Sequence, residues 1–142
     1  ALHQPEIFAG IELKEAREKY TGSRLKHDEV ERYYSQLLSI LETEKLYLKP
    51  DLNLQTLAGH MMISSKDLSQ VINQRSGNNF FDFINSYRCG EAKNLMETSD
   101  PKVTILEILY EAGFNSKSSF NKEFKKLNGT TPTEYRKLVR KS

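Results

Sequence analysis

Two stretches of this 142-residue chain interleave polar donors with apolar residues spaced four apart. In "SSKDLSQVINQR", residues 64–75, the apolar pair is Leu68 and Ile72, with Ser65, Lys66, Ser69, Gln70 and Asn73 around it. In "SKSSFNKEFKKLNG", residues 116–129, Phe120 and Phe124 repeat the spacing, accompanied by Lys117, Ser118, Asn121, Lys122 and Lys125. Four-residue spacing sets each apolar pair on one face of a helix, where it anchors the helix to a core and turns the donors outward. Amides and long cationic side chains are the groups that read base edges and grip phosphates. Ser64 and Ser116 stand where an N-cap is expected, and a helix N-terminus favours a phosphate. The chemistry these residues suit is recognition of a polyanion, not bond making.

Charge distribution points the same way. The formal net charge is only +2, but residues 115–142 hold eight Lys or Arg against two Asp or Glu. Residues 1–50 hold eight against nine, and residues 51–114 five against eight. Positive charge concentrated in the last fifth of a chain suggests a surface that meets nucleic acid. Enzyme chemistry finds little to work with. His3, His27 and His60 lack ligand spacing, so no metal site is expected. The glycines are isolated turn residues rather than a phosphate loop. Cys89 is the only cysteine, which excludes an internal disulfide and fits a reducing compartment, so a cytoplasmic location is expected. No apolar run approaches the roughly 20 residues of a membrane helix.

The elements that must position these residues read as short helices. With 37% hydrophobic residues, small lobes fit better than one thick core. Residues 1–26 are expected to be a partly flexible lead-in, with a short helix in "IELKEAREKY". Residues 27–50 give a helix and linker, with Val30, Tyr34, Leu37 and Leu41 at helical spacing and Pro50 closing the segment. That helix either packs on the domain or serves as a dimer contact. Over 51–142 the reading is a first helix-turn-helix at 54–75, a connecting helix at 80–97, a second helix-turn-helix at 103–127 and a final helix at 131–140. No segment alternates like a strand. The expected fold is all-α, with two helix-turn-helix subdomains joined by a connecting helix and an extra N-terminal helix.

A 52-residue shift supports the duplication. It lays Leu57 on Leu109, Ser64 on Ser116, Leu68 on Phe120, Ile72 on Phe124, Gly77 on Gly129 and Phe83 on Tyr135.

At these residues the chain resembles the AraC/XylS family of bacterial transcription regulators. "GFNSKSSFNKEFKKLNGTTPTEYR" is similar to the family's second helix-turn-helix signature, and "LAGHMMISSKDLSQVIN" through "GNNFFDFINSYR" resembles the first. The resemblance covers about residues 50–140. It implies double-stranded DNA binding by two recognition helices in successive major grooves, with no cofactor and no catalysis in this domain. It also leaves RNA polymerase as a further partner. Two departures stand out. Gln70 is a neutral amide where many members carry a basic residue, and the first unit is poor in positive charge. The second unit is therefore expected to supply more of the electrostatic affinity and the first more of the discrimination. The segment from "KYTGSRLKHDEV" to "LKPDLNL" resembles the lead-in of a module that ends a longer regulator, in some cases a membrane-anchored sensor. The rival reading is a helical protein-interaction or dimerisation module without DNA binding. Arg88, Arg136 and the C-terminal lysines are open between phosphate contact and other uses.

Overall fold

The computed structural model describes residues 25–140, and every regular element among them is helical. These are α1 (His27–Glu44), a 3-10 turn (Leu46–Leu48), α2 (Leu54–His60), α3 (Ser65–Ser76), α4 (Phe80–Thr98), α5 (Ile105–Glu111), α6 (Lys117–Asn128) and α7 (Pro132–Arg140). The expected lead-in lies outside the described residues except for Leu25 and Lys26, and so does the short helix in "IELKEAREKY".

Short helices in water need their free N–H groups satisfied, and this sequence places a side-chain acceptor at the start of each of α2 to α7. Asn53 accepts from the Thr56 N–H at 2.8 Å, Ser64 from Asp67 at 3.0 Å and Asn79 from Asp82 at 2.8 Å. Thr104, Ser116 and Thr131 do the same for Glu107, Ser119 and Glu134, each at 3.1 Å. Glu134 also reaches back to the Thr131 N–H at 2.9 Å, completing a capping box. The longer α1 ends at Glu44, earlier than Pro50 suggests, because Lys45 turns left-handed at φ 49° and its N–H closes on the Leu41 carbonyl.

Packing divides the chain into two compact units. Among the described residues the first comprises 25–45 and 52–83, and the second 46–51 and 84–140. In the first unit, α1 and α2 both pack on α3. Leu37 and Leu41 of α1, Leu57 of α2 and Leu68, Val71 and Ile72 of α3 are buried there. Polar contacts reinforce the α1 seam. Arg75 of α3 pairs with Glu31 at 2.8 Å and lies 4.7 Å from the Tyr34 ring centre, and His60 meets Glu44 at 3.1 Å. Helix α1 therefore packs on its own unit.

The second unit centres on Phe114, Phe120 and Phe124, packed with Ile108 and Leu109 of α5 and Cys89, Ala92 and Met96 of α4. The rings form a chain, with centroids 5.0 Å apart for Phe114 and Phe120, 5.6 Å for Phe120 and Phe124, and 5.5 Å for Phe124 and Tyr135. Such contacts add to simple area burial. The Tyr135 hydroxyl donates to Glu97 at 2.6 Å. On α4, Phe80, Phe83 and Ile84 are buried, whereas Phe81 is exposed.

The duplication holds, but its offset changes inside the turn. N-caps Asn53 and Thr104, and helices α2 and α5, correspond at 51 residues. N-caps Ser64 and Ser116, helices α3 and α6, and the C-capping Gly77 and Gly129 correspond at 52. The buried pair Leu57–Ala58 thus matches Ile108–Leu109, not Leu109 and its successor. The turn of the second unit is one residue longer. A single shift blurs this, because it finds similar residues one position away in helices rich in Leu and Ile.

Candidate nucleic-acid interface

Helix α6 carries the denser cluster. Phe120 and Phe124 are fully buried, while Lys117, Ser118, Asn121, Lys122 and Lys125 are all exposed. The apolar stripe holds the helix and the donors face out, as the spacing implies. Four of those residues line a groove of about 640 Å³, namely Lys117, Asn121, Lys122 and Lys125. The groove is completed by Ile105 and Leu106 at the start of α5 and by Thr131 and Thr133 at the start of α7. Sequence reasoning did not single out these last four. Thr131 and Thr133 flank Pro132 in "TPTE", a helix-start pattern that could have placed them beside α6. Leu106 left no such signal.

Electrostatics in the groove favour an anion. Its side chains include three lysines, and the Glu134 carboxylate beside it is engaged in capping. The backbone and side chain of Thr131 hold the Glu134 carboxyl below the usual range, with smaller contributions from Lys125 and Lys137. The result is a positively charged surface with amide and hydroxyl donors, able to grip phosphates and to present Asn121 and Lys122 to base edges.

Helix α3 differs. Lys66 is exposed, but Ser65, Ser69 and Asn73 are half-buried. Gln70, expected to face outward, is only 5% exposed, and its Oε1 has no hydrogen-bond partner among the described residues. That expectation is corrected: Gln70 is not displayed for reading in this structure. The physical reason is that α3 is flanked by both α1 and α2, so its open arc is narrower than the spacing of one helix alone suggests. Arg75, the other cation of α3, is engaged by Glu31 and Tyr34. The first unit therefore offers fewer exposed donors and less positive charge than the second.

Two arginines that the sequence left open, Arg88 and Arg136, are used on main-chain oxygens, and so is Arg140. Arg88, 9% exposed, donates through Nε to the Tyr47 carbonyl at 2.7 Å and through an Nη to the Lys49 carbonyl at 2.9 Å. Burial lowers its guanidinium pKa. Arg136 donates to the Pro101 carbonyl at 3.1 Å and Arg140 to the Ser99 carbonyl, which secures α7 to the end of α4 and the following loop. Sequence cannot distinguish these roles, because carbonyl partners carry no residue signature. Cys89 is buried, and desolvation, then Glu123, pushes its thiol up to about 12, so it is no nucleophile. Among the described residues, no helix is long and apolar enough to cross a membrane.

Comparison with known proteins accords with this geometry. A family model described as a helix-turn-helix domain, of AraC type, matches residues 57–138. An uncharacterised HTH-type transcriptional regulator of Staphylococcus aureus (strain COL) is 32% identical over 116 residues, 75% of this chain. The chain spans about 15% of the length of that curated relative. The C-terminal domain of the two-component response regulator yesN from Fusobacterium nucleatum superposes with a TM-score of 0.62 at 28% identity, covering 74% of this chain and 98% of that one. The DNA-binding domain of AdpA, a global transcriptional factor solved with a target DNA, gives a TM-score of 0.63 over 75% of this chain and 92% of that one. At 23% identity, the AdpA likeness concerns the fold. Two capped helix-turn-helix units, the exposed basic face of α6 and a family match over more than half the chain lead to one assignment: this chain belongs to the AraC-type helix-turn-helix family of transcription regulators.

Proposed function

We propose that the chain binds double-stranded DNA sequence-specifically through two unlike half-sites, with α3 and α6 entering successive major grooves. The observation that carries this reading is the exposed set Lys117, Ser118, Asn121, Lys122 and Lys125 on a helix whose opposite face is locked by Phe120 and Phe124. A second capped unit of the same build in the same chain supports a bipartite site read by one molecule. The half-sites lie about one helical turn apart, on the order of 10 bp. Asn121 and Lys122 supply base discrimination, and the lysines of α6 supply most of the phosphate affinity. In α3, Lys66, Ser69 and Asn73 read the other half-site, with Gln70 taking part only if its side chain is released from its enclosed position.

In this reading the chain is the DNA-binding part of a longer bacterial regulator acting in the cytoplasm, in contact with RNA polymerase, and it performs no catalysis. The small share of the relatives' length that it spans, and the likeness to the C-terminal domain of a response regulator, support that placement. Selection of binding sites from random duplex DNA, followed by footprinting, tests the reading. Asymmetric bipartite sites bound by single molecules, with affinity falling steeply as salt rises, are expected. Protection restricted to strict palindromes by obligate dimers would overturn it.

A further inference from the structure

Helix α4 turns Cys89, Ala92 and Met96 into the core of the second unit and leaves Ser86, Tyr87, Gly90 and Glu91 on its other side. These four share a face because Ser86 and Gly90, and Tyr87 and Glu91, stand four residues apart. Together with Tyr47 they line a pocket of about 410 Å³, and all five residues belong to the second unit. None of them lines the groove beside α6. The Tyr47 and Tyr87 rings meet at 5.4 Å between centres, tilted by 44°. Tyr47 is buried, while Ser86, Tyr87 and Glu91 are half-buried.

Glycine weakens a helix interior, so Gly90 in the middle of α4 calls for a reason. Close packing does not supply one, since a Cβ at Gly90 would meet nothing within 4 Å, and its φ is not positive. Its effect is to keep the pocket open between Tyr87 and Glu91. The pocket's charge comes from Glu91, which forms no ion pair among the described residues. Burial, and then the Glu91 carboxylate, push the Tyr47 phenol up, so that ring stays neutral. The neighbouring Arg88 directs its guanidinium to the Tyr47 and Lys49 carbonyls rather than to Glu91.

We propose that this pocket binds an organic cation bearing N–H groups on an apolar chain, of the alkylammonium or alkylguanidinium class. Tyrosine rings attract a cation placed over them. The Glu91 carboxylate accepts charge-assisted hydrogen bonds from its N–H groups. The volume falls within the range of small-molecule sites, roughly 300–1,000 Å³. Glu91 repels phosphate, so the pocket is a site separate from the basic face of α6. The inference does not depend on the DNA reading.

The test is an NMR titration of the full chain with n-butylammonium chloride at physiological salt. Saturating shifts at Tyr47, Tyr87, Gly90 and Glu91 are expected, with a Kd below about 1 mM. n-Butanol, which has the chain but no charge, should bind at least about tenfold more weakly, and Glu91→Gln should weaken n-butylammonium by a similar factor. Tyr87→Leu should cost about fivefold. Gly90→Leu should fill the pocket and abolish binding while keeping the helical signal, because its Cβ meets no neighbour. This arm decides the matter if Tyr87→Leu does not fold. A lysine tripeptide blocked at both ends separates the sources of such a cation. Binding as tight as n-butylammonium assigns the site to a side chain of a partner protein, and binding at least about tenfold weaker assigns it to a free amine; both support the cation site. Shifts that do not saturate, or equal binding by wild type, Glu91→Gln and Gly90→Leu, would overturn it.

Discussion

Met62 and Gly113 occupy the same place in the two helix-turn-helix units, each following the C-cap of the first helix and each left-handed, at φ 62° and 99°. The first unit uses a side chain where the second uses none. Met62 is 90% exposed, so its side chain gains little from packing. A left-handed residue other than glycine costs roughly 1–2 kcal/mol, and glycine's added chain entropy returns about 0.5–1 of that. Met62→Gly should therefore stabilise the protein by about 0.5 kcal/mol, read as a small rise in thermal midpoint.

Gly113→Ala should behave in the opposite sense. Beyond the strained φ, the new Cβ would meet the Tyr47 carbonyl oxygen at 2.4 Å and Arg88 Nε at 3.0 Å. A loss of at least about 2 kcal/mol is expected in denaturant unfolding. A midpoint unchanged by the substitution would show that the turn does not need glycine.

Phe124→Ala removes the central ring between Phe120 and Tyr135. Cavity formation in a small lobe should cost roughly 3–5 kcal/mol. DNA affinity should fall together with helical content. A variant with wild-type melting but no binding would place the ring on the DNA face and reverse the orientation of α6.

Substitutions on α6 and α7 should separate two kinds of loss. Asn121→Ala or Lys122→Ala should change which sequences are selected while leaving melting unchanged, at about 1–3 kcal/mol for a lost bidentate base contact. Lys137→Ala should weaken all sequences alike and reduce the salt slope by about one unit. Arg136→Ala and Arg140→Ala should instead lower the stability of the second unit, because each loses a carbonyl contact that secures α7. Competition titrations on matched and mismatched duplexes, alongside melting curves, distinguish the three patterns.

Alkaline pH should destabilise the fold through Cys89. Its pKa is raised from 9.0 to about 12 by burial, so the folded state keeps a proton that the unfolded chain releases. Stability is full below the unfolded value and declines as pH rises from about 9 toward 12, with a slope of at most about 1.4 kcal/mol per pH unit from this group. Tyr135 shifts in the same direction, to about 12, chiefly through its hydrogen bond with Glu97. Cys89→Ala should flatten the alkaline limb of stability against pH. In the wild type, a thiol-reactive probe should label Cys89 only on unfolding.

Features governed by local chemistry were legible in the sequence: helices at periodic apolar positions, caps at Ser64 and Ser116, glycine stops at Gly77 and Gly129, and the outward donors of α6. Each depends on residues within one or two turns of one another, so spacing alone specifies it. The tertiary structure decided what depends on distant partners. It enclosed Gln70 on a helix flanked by two others, assigned Arg88, Arg136 and Arg140 to main-chain carbonyls, and brought Leu106, Thr131 and Thr133 to the groove beside α6. It also revealed the extra residue in the second turn. Backbone oxygens are the same in every residue, and the free arc of a helix is set by its neighbours, so neither leaves a pattern along the chain.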